Sequence, residues 1–299
     1  MNFVKNLWQF TRPHTIIGTS LSVLALYFIS LATTGNTIAL LNIEQMLAVW
    51  LACICGNIYI VGLNQLCDVE LDRINKPHLP LASGGFTIAQ GRLIVGVTGM
   101  LSLVVATLSG MWLLVTVTVS LFLGTIYSLP PIRLKRFPFW AAFCILTVRG
   151  VIVNLGLFLH YSDQLSGKES LNPYVWMLTV FILVFTTAIA IFKDVPDIEG
   201  DKKYQITTFT IVMGKLAVFK LSRWVITVCY LGMIAAGSLW LNSVNALFFI
   251  GSHGILLSLL WWRSQNVDLE EKQAIVDFYQ FIWKLFFLEY LLFPIACFI

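Results

Sequence analysis

The chain has 299 residues, of which 58% are hydrophobic and only 11% charged, with a formal net charge of +4 and a mean hydropathy of +0.84. Soluble domains carry about 25% charged residues, so this balance excludes an ordinary soluble fold and points to a polytopic membrane protein. A charge of +4 spread along the chain also argues against a nucleic-acid partner.

In chain order, the apolar runs long enough to cross a hydrocarbon core of about 20 helical residues lie at 14–33, 46–66, 92–110, 111–129, 139–160, 174–193, 222–241, 244–262 and 279–299. The expected architecture is therefore an all-α membrane bundle of about nine transmembrane helices around a central cavity, with caps on one side and one domain over 1–299. The third and fourth runs are almost continuous and predict a tight hairpin. Between the last two, Asp268, Glu270, Glu271, Lys272 and Asp277 alternate with Val267, Leu269, Ile275, Val276 and Phe278, which predicts a short interfacial helix over 266–278.

Lys and Arg positions set the orientation. Of the 19 such residues, all but Arg149, Lys168 and Lys284 fall on the side that holds the N-terminus, so that side is expected to be cytoplasmic. The first apolar run lacks a small-residue cleavage site and is long enough to remain as a span, which predicts no removable signal. Six cysteines, Cys53, Cys55, Cys67, Cys144, Cys229 and Cys297, lie in or beside spans without a CxxC pair, a distribution that suits packing rather than metal or redox chemistry. His14, His78, His160 and His253 are scattered and read as structural. No feature specifies an oligomer.

Two acidic stretches break the apolar pattern. Asn64-Gln65-Leu66-Cys67-Asp68-Val69-Glu70-Leu71-Asp72 follows the second span, and Lys193-Asp194-Val195-Pro196-Asp197-Ile198-Glu199-Gly200-Asp201 follows the sixth. Like charge gathered at a bilayer boundary is costly unless a cation or a substrate compensates it. On a continuous helix Asn64, Asp68 and Asp72 would share one face, as would Asp194, Asp197 and Asp201, although Pro196 and Gly200 disfavour a regular helix beyond Asp194. The matching positions of the clusters suggest two halves facing a shared cavity.

Oxygen ligands without thiolate or imidazole suit Mg²⁺, which binds few carboxylates and completes its shell with water and substrate phosphates. The pattern thus describes a diphosphate site, and a pocket walled by membrane helices calls for an apolar tail, as in a prenyl diphosphate. Tyr127-Ser128-Leu129-Pro130-Pro131-Ile132-Arg133-Leu134-Lys135-Arg136 joins a helix stop to a basic cluster that can anchor the bilayer face or bind anionic oxygens. Solvated helix ends paired with Arg73, Lys76, Lys193, Lys202 and Lys203 are the bland alternative to a site. A transporter is the rival of a different class, because Arg149, Lys284 and Glu289 lie within spans. Transport, however, gives no reason for the paired aspartate spacings.

With NxxxDxxxD after the second span, DxxDxxxD after the sixth, and nine helices, the sequence resembles the UbiA superfamily of intramembrane aromatic prenyltransferases over nearly its whole length. Asn64 to Gly84 and Lys193 to Phe209 resemble its homogentisate-using branch, with Asn75-Lys76-Pro77 as one discriminator. The resemblance implies Mg²⁺-dependent transfer of a prenyl group, phytyl foremost, from its diphosphate to homogentisate with decarboxylation; naphthoate or chlorophyllide as acceptor, or a geranylgeranyl or solanesyl donor, are the rivals within it. It also implies that Asp68, Asp72, Asp194 and Asp197 are catalytic and that Asn64, Asp68, Asp72, Asp194, Asp197 and Asp201 hold the metal and diphosphate. Lys135, Arg136 and Lys193 would neutralise phosphate oxygens, Tyr127 would donate to them, and Arg12 or Arg149 would meet the acceptor's carboxylate. The setting so implied is a bacterial, cyanobacterial-type inner or thylakoid membrane, with lipid, prenyl diphosphate and a small aromatic acceptor as partners.

Overall fold

The computed structural model describes residues 3–203, 207–240 and 244–299. Among them the fold is entirely helical, with nine helices long and apolar enough to cross a membrane: Pro13–Thr34, Leu40–Cys67, Ile88–Ser109, Met111–Ser128, Phe139–Ser166, Pro173–Phe192, Lys215–Leu239, Ala246–Ser264 and Lys272–Phe298. Their outward sides carry large exposed apolar groups such as Leu108, Trp224 and Leu247, surface that a bilayer solvates. The protein is an integral, multi-pass membrane protein.

All nine expected spans are present among the described residues, and three begin six or more residues earlier than hydropathy marks. The second starts at Leu40, the seventh at Lys215 and the ninth at Lys272, because an apolar-run criterion stops at charged residues that a helix simply carries into the interface. The expected helix over 266–278 is corrected accordingly: residues from Lys272 onward are the first turns of the last span, and the charges before it form a bend held by Glu270 N–H donating to Asp268 Oδ1 at 2.8 Å. Leu241, the last residue expected of the seventh span, lies outside the described residues.

The chain divides into two compact units, one comprising residues 1–24 and 38–144, the other 25–37 and 145–299. In the first, α1 (Phe3–Phe10) precedes α2 (Pro13–Thr34), whose opening half belongs here; α3 (Leu40–Cys67) is the axis, against which α5 (Ile88–Ser109) and α6 (Met111–Ser128) pack. The short α4 (Val69–Asn75) continues from the end of α3. Gly110, at φ 133°, is the sole residue between α5 and α6, a conformation that an L side chain resists, and it makes the expected hairpin. Thr87 caps α5 in a reciprocal box with Gln90, the Gln90 N–H donating to Thr87 Oγ1 at 3.2 Å and the Thr87 N–H to Gln90 Oε1 at 2.9 Å. Within the spans polar groups find partners across helices, as where Ser102 Oγ donates to the Ala52 carbonyl at 2.7 Å.

One contact fixes the N-terminal segment. Phe10, wholly buried, sits in a cluster with Leu63, Leu81, Phe86 and Val95, and its carbonyl accepts a 2.7 Å hydrogen bond from the buried Gln65 Nε2. Gly62 makes this approach possible, since a methyl group at its Cα would lie 2.7 to 2.8 Å from Val95 and the Phe10 ring.

The second unit is built on α9 (Pro173–Phe192), flanked by α12 (Lys215–Leu239), α14 (Lys272–Phe298) and α8 (Val153–Ser166), with α13 (Ala246–Ser264) on α12 and α14. Rings of Phe181, Phe185, Tyr230 and Phe286 interlock in its core. α7 (Pro138–Ile145) runs into a π-helical stretch, Leu146–Ile152, before α8. Two of the intramembrane charges that favoured a transport path have local explanations here. Glu289 and His253, both fully buried, pair at 3.1 Å between α14 and α13, and Arg149 lies over Trp283 at 4.7 Å and Phe286 at 5.8 Å. Lys284 is exposed on α14, where its stem can reach toward the interface.

Gly62→Ala tests the anchoring of α1. Overpacking costs about 1–3 kcal/mol, and the better helix propensity of Ala returns about 1 kcal/mol, so a net loss of up to about 2 kcal/mol is expected. A lower melting temperature of the detergent-solubilised variant, with Gly96→Ala as an open-space control, is the measurement.

Candidate active site

The first acidic cluster is assembled from the end of α3, the break after it and α4. Asp68 is the joint: its backbone, at φ −120° and ψ 19°, leaves the α-helical path, so the expected continuous face of Asn64, Asp68 and Asp72 is corrected to a helix, a break and a second helix. Two backbone bonds stabilise the break, from Asp68 N–H to the Gln65 carbonyl at 3.2 Å and from Asp72 N–H to the Asp68 carbonyl at 2.8 Å. Both carboxylates end up buried, Asp68 at 8% and Asp72 at 4% exposure.

Cations compensate each carboxylate differently. Asp68 is held directly: Arg133 Nη2 donates to its Oδ1 at 2.7 Å, and Lys135 Nζ donates to its Oδ2 at 2.5 Å. Arg133 also donates to the Cys67 carbonyl at 3.2 Å. Both cations come from the turn after α6, where Arg133 adopts the left-handed conformation (φ 42°, ψ 59°) and Leu134–Arg136 form a 3-10 turn. Asp72 Oδ2 is buried without a hydrogen-bond partner among the described residues. Burial pushes the Asp72 carboxyl above the ordinary carboxylate range, against the pull of Arg12 and Lys76. Burial likewise lowers the Lys135 ammonium, with Asp68 opposing the shift.

Arg12 is drawn to the same place. It occupies the joint between α1 and α2 at φ 52° and donates from Nη2 to Asn64 Oδ1 at 3.2 Å. The docking of Phe10 two residues earlier is what sets this position. Tyr127 stands half-buried near the end of α6, whereas Arg136 is exposed and Glu70 is engaged by Arg73 at 2.7 Å on the surface.

The second cluster belongs to the other unit. The helix α9 ends at Phe192, a turn spans 193–197, and α10 (Ile198–Lys203) carries Asp201, so Pro196 breaks the face while Gly200 does not prevent helix from resuming. One turn links Asp201 N–H to the Asp197 carbonyl at 3.2 Å. Asp201 is buried, Asp194 and Asp197 are half-buried, and Glu199 is exposed. Lys193 Nζ lies 3.9 Å from Asp194 Oδ1. Tyr204, Gln205 and Ile206 of the second motif stretch lie outside the described residues. Arg149 is seated among aromatic rings of α14.

Sequence reasoning singled out Lys135 and Arg136 of the basic cluster; the structure selects Lys135 and Arg133. Nothing in the order of residues reveals that Arg133 is left-handed and turned toward α3.

Among the described residues no three His, Cys, Asp or Glu side chains converge closely enough to hold a metal by themselves. Mg²⁺ does not need three, for it binds through one or two carboxylates together with water and phosphate oxygens. The all-oxygen donor set of Asn64, Asp68 and Asp72 suits it, and the buried, unpartnered Asp72 Oδ2 is an atom that a hard cation would satisfy.

With this geometry established, comparisons place the chain among known proteins. The UbiA prenyltransferase family pattern matches residues 20–285. Homogentisate phytyltransferase of Synechocystis sp. is 55% identical over 297 residues, covering 99% of this chain and 96% of that protein. The chloroplastic homogentisate phytyltransferase 1 of Arabidopsis thaliana is 41% identical, over 96% of this chain and 74% of that protein. The solved structure of a UbiA homolog from Archaeoglobus fulgidus bound to GPP and Mg²⁺ shares the fold with a TM-score of 0.63 at 17% identity, covering 98% of this chain and 99% of that one.

Asp72→Asn should separate stability from cation binding. A carboxyl whose pKa is raised by folding loses stability as pH climbs from the ordinary carboxylate range through the raised value, so the Asn variant should melt above the native protein in EDTA by a margin that opens with pH and then levels. Mg²⁺ added together with methylenediphosphonate should raise the native melting temperature and leave that of the variant unchanged. A variant that melts no higher than native at neutral pH would contradict this account of Asp72.

Proposed function

This chain belongs to the UbiA prenyltransferase family, and on that premise we propose that it transfers a phytyl group from phytyl diphosphate to homogentisate in a Mg²⁺-dependent reaction. The observation that carries the donor and acceptor is the 55% identity to a homogentisate phytyltransferase over 99% of this chain. Support for the metal and diphosphate comes from the residues themselves, two buried carboxylates, an amide oxygen and two cations at the end of α3.

In the proposed reaction the C1–O bond of the donor breaks and diphosphate departs with the electron pair. The electron-rich ring forms the new carbon–carbon bond and gives up a proton; the carboxymethyl group loses CO₂ and takes up a proton to become methyl, leaving a methyl-prenylquinol. When bound, Mg²⁺ supplies Lewis-acid charge to the leaving diphosphate. Asn64, Asp68, Asp72, Asp194, Asp197 and Asp201 are the residues assigned to hold it. Arg133, Lys135 and Lys193 neutralise phosphate oxygens, and Tyr127 donates to them. Arg12 orients Asn64 through its 3.2 Å hydrogen bond, so its role shifts from acceptor binding toward support of the first motif. Arg149, a guanidinium held over aromatic rings, remains the residue assigned to the acceptor carboxylate. The proposed prenyltransferase domain covers 1–299, with the N-terminus and the acidic clusters on the cytoplasmic side of a bacterial inner or thylakoid membrane.

Purified protein given homogentisate, equal phytyl and geranylgeranyl diphosphates and Mg²⁺ should yield a decarboxylated phytyl product by mass spectrometry, and none in EDTA. Asp68→Ala and Asp197→Ala should each lower turnover by about a hundredfold or more, since even outer-shell partners of a metal are worth about 10–100-fold. Retention of full activity by either variant would remove that residue from the metal site, and prenylation of a different acceptor with homogentisate untouched would refute the proposed acceptor.

A further inference from the structure

Asp68 is held by a cation at each oxygen. Its Oδ1 is bonded to Arg133 and its Oδ2 to Lys135, so each oxygen already has a cationic partner. All three side chains are largely shielded, at 9% exposure for Asp68, 11% for Lys135 and 22% for Arg133, which makes the trio a partly desolvated, net positive cluster rather than a loose surface bridge. The turn is bent to achieve it. Arg133 holds a left-handed backbone that an L residue adopts only at a cost, and its guanidinium additionally ties the Cys67 carbonyl at 3.2 Å.

A divalent cation reaching Asp68 must therefore expel two resident cations or lie beside them. Lying beside them is unfavourable, because a divalent charge in this partly desolvated cluster meets two repelling cations and only one attracting carboxylate. Expelled alone, Arg133 and Lys135 would be left half-buried without an anion, which is also costly. An incoming diphosphate removes both difficulties, because it offers the displaced side chains several charged acceptor oxygens and brings negative charge to the metal.

We propose that Arg133 and Lys135 are exchangeable counterions, which neutralise Asp68 in the free enzyme and pass to the diphosphate when it arrives, so that metal and diphosphate bind as a mutually dependent pair. The proposal rests on the metal and diphosphate reading of this site and adds the coupling. Arg133 thereby becomes a positioning residue with two partners. The free enzyme binds stray divalent cations weakly, and the site acquires its metal only with substrate. Thermodynamic linkage requires the coupling to be reciprocal, the metal raising diphosphate affinity by the same factor as the diphosphate raises that of the metal.

The test uses the full chain in detergent, Mn²⁺ followed by electron paramagnetic resonance, and methylenediphosphonate as a diphosphate probe that cannot be cleaved. In the native protein each should raise the affinity of the other by about tenfold or more, by equal factors. In the Arg133→Gln/Lys135→Gln double variant Mn²⁺ alone should bind about fivefold or more tighter than in the native protein, and the mutual enhancement should fall to about twofold or less. Lys135→Arg, which keeps the charge, should behave as native, and melting temperatures establish that the variants are folded. Native protein that binds Mn²⁺ equally well with and without the diphosphonate overturns the exchange whatever the variants do, and so does a folded double variant with no gain in Mn²⁺ affinity. If native protein and Asp68→Asn alike bind neither Mn²⁺ nor the diphosphonate, the metal and diphosphate reading falls and takes the exchange with it.

Discussion

A carboxylate withdrawn from water at the edge of a bilayer has to be neutralised, and the first unit is organised around doing so for Asp68. The chain leaves the helical path at that residue, the turn after α6 adopts a strained conformation at Arg133, and two cations from that turn converge on one carboxylate. Asp72, one helical turn onward, receives no comparable direct bond on its Oδ2 and carries the cost as a raised affinity for its proton. The two carboxylates thus differ in state before any ligand arrives, one satisfied and one waiting. That inequality follows from which of them the turn can reach.

Supporting residues extend the same logic outward. Arg12 bonds Asn64 because Phe10 is locked between α3, α5 and the loop before α5, and Phe10 can be locked there because Gly62 offers no side chain. A residue with no chemistry of its own thus determines where a guanidinium stands. Catalytic groups on a membrane enzyme are often carried by connections at the interface, and here the helical scaffold beneath them supplies the rigidity that those connections lack.

The second unit solves a related difficulty by other means. Glu289 finds His253 across two helices, while Arg149 rests on aromatic faces from within a π-helical stretch that changes the side-chain register of its segment. Charges inside a span had suggested a translocation path. Local partners for Glu289 and Arg149 weaken that reading, and membership of the UbiA prenyltransferase family gives the paired aspartate motifs a chemical purpose that transport does not.

The nine long apolar helices among the described residues and the hairpin at Gly110 were legible in the sequence, because each rests on a local property: hydropathy over about 20 residues and the near-continuity of two apolar runs. The early starts of the second, seventh and ninth spans were not, since a helix tolerates charges in its first turns that a hydropathy threshold rejects. Nor was the break at Asp68, which keeps the spacing of four while abandoning the helix that the spacing implies. The selection of Arg133 over Arg136 lay beyond any reading of residue order. It depends on the sign of one backbone angle and on the distance from a turn to a helix end sixty-odd residues earlier in the chain, and only tertiary packing sets either of these.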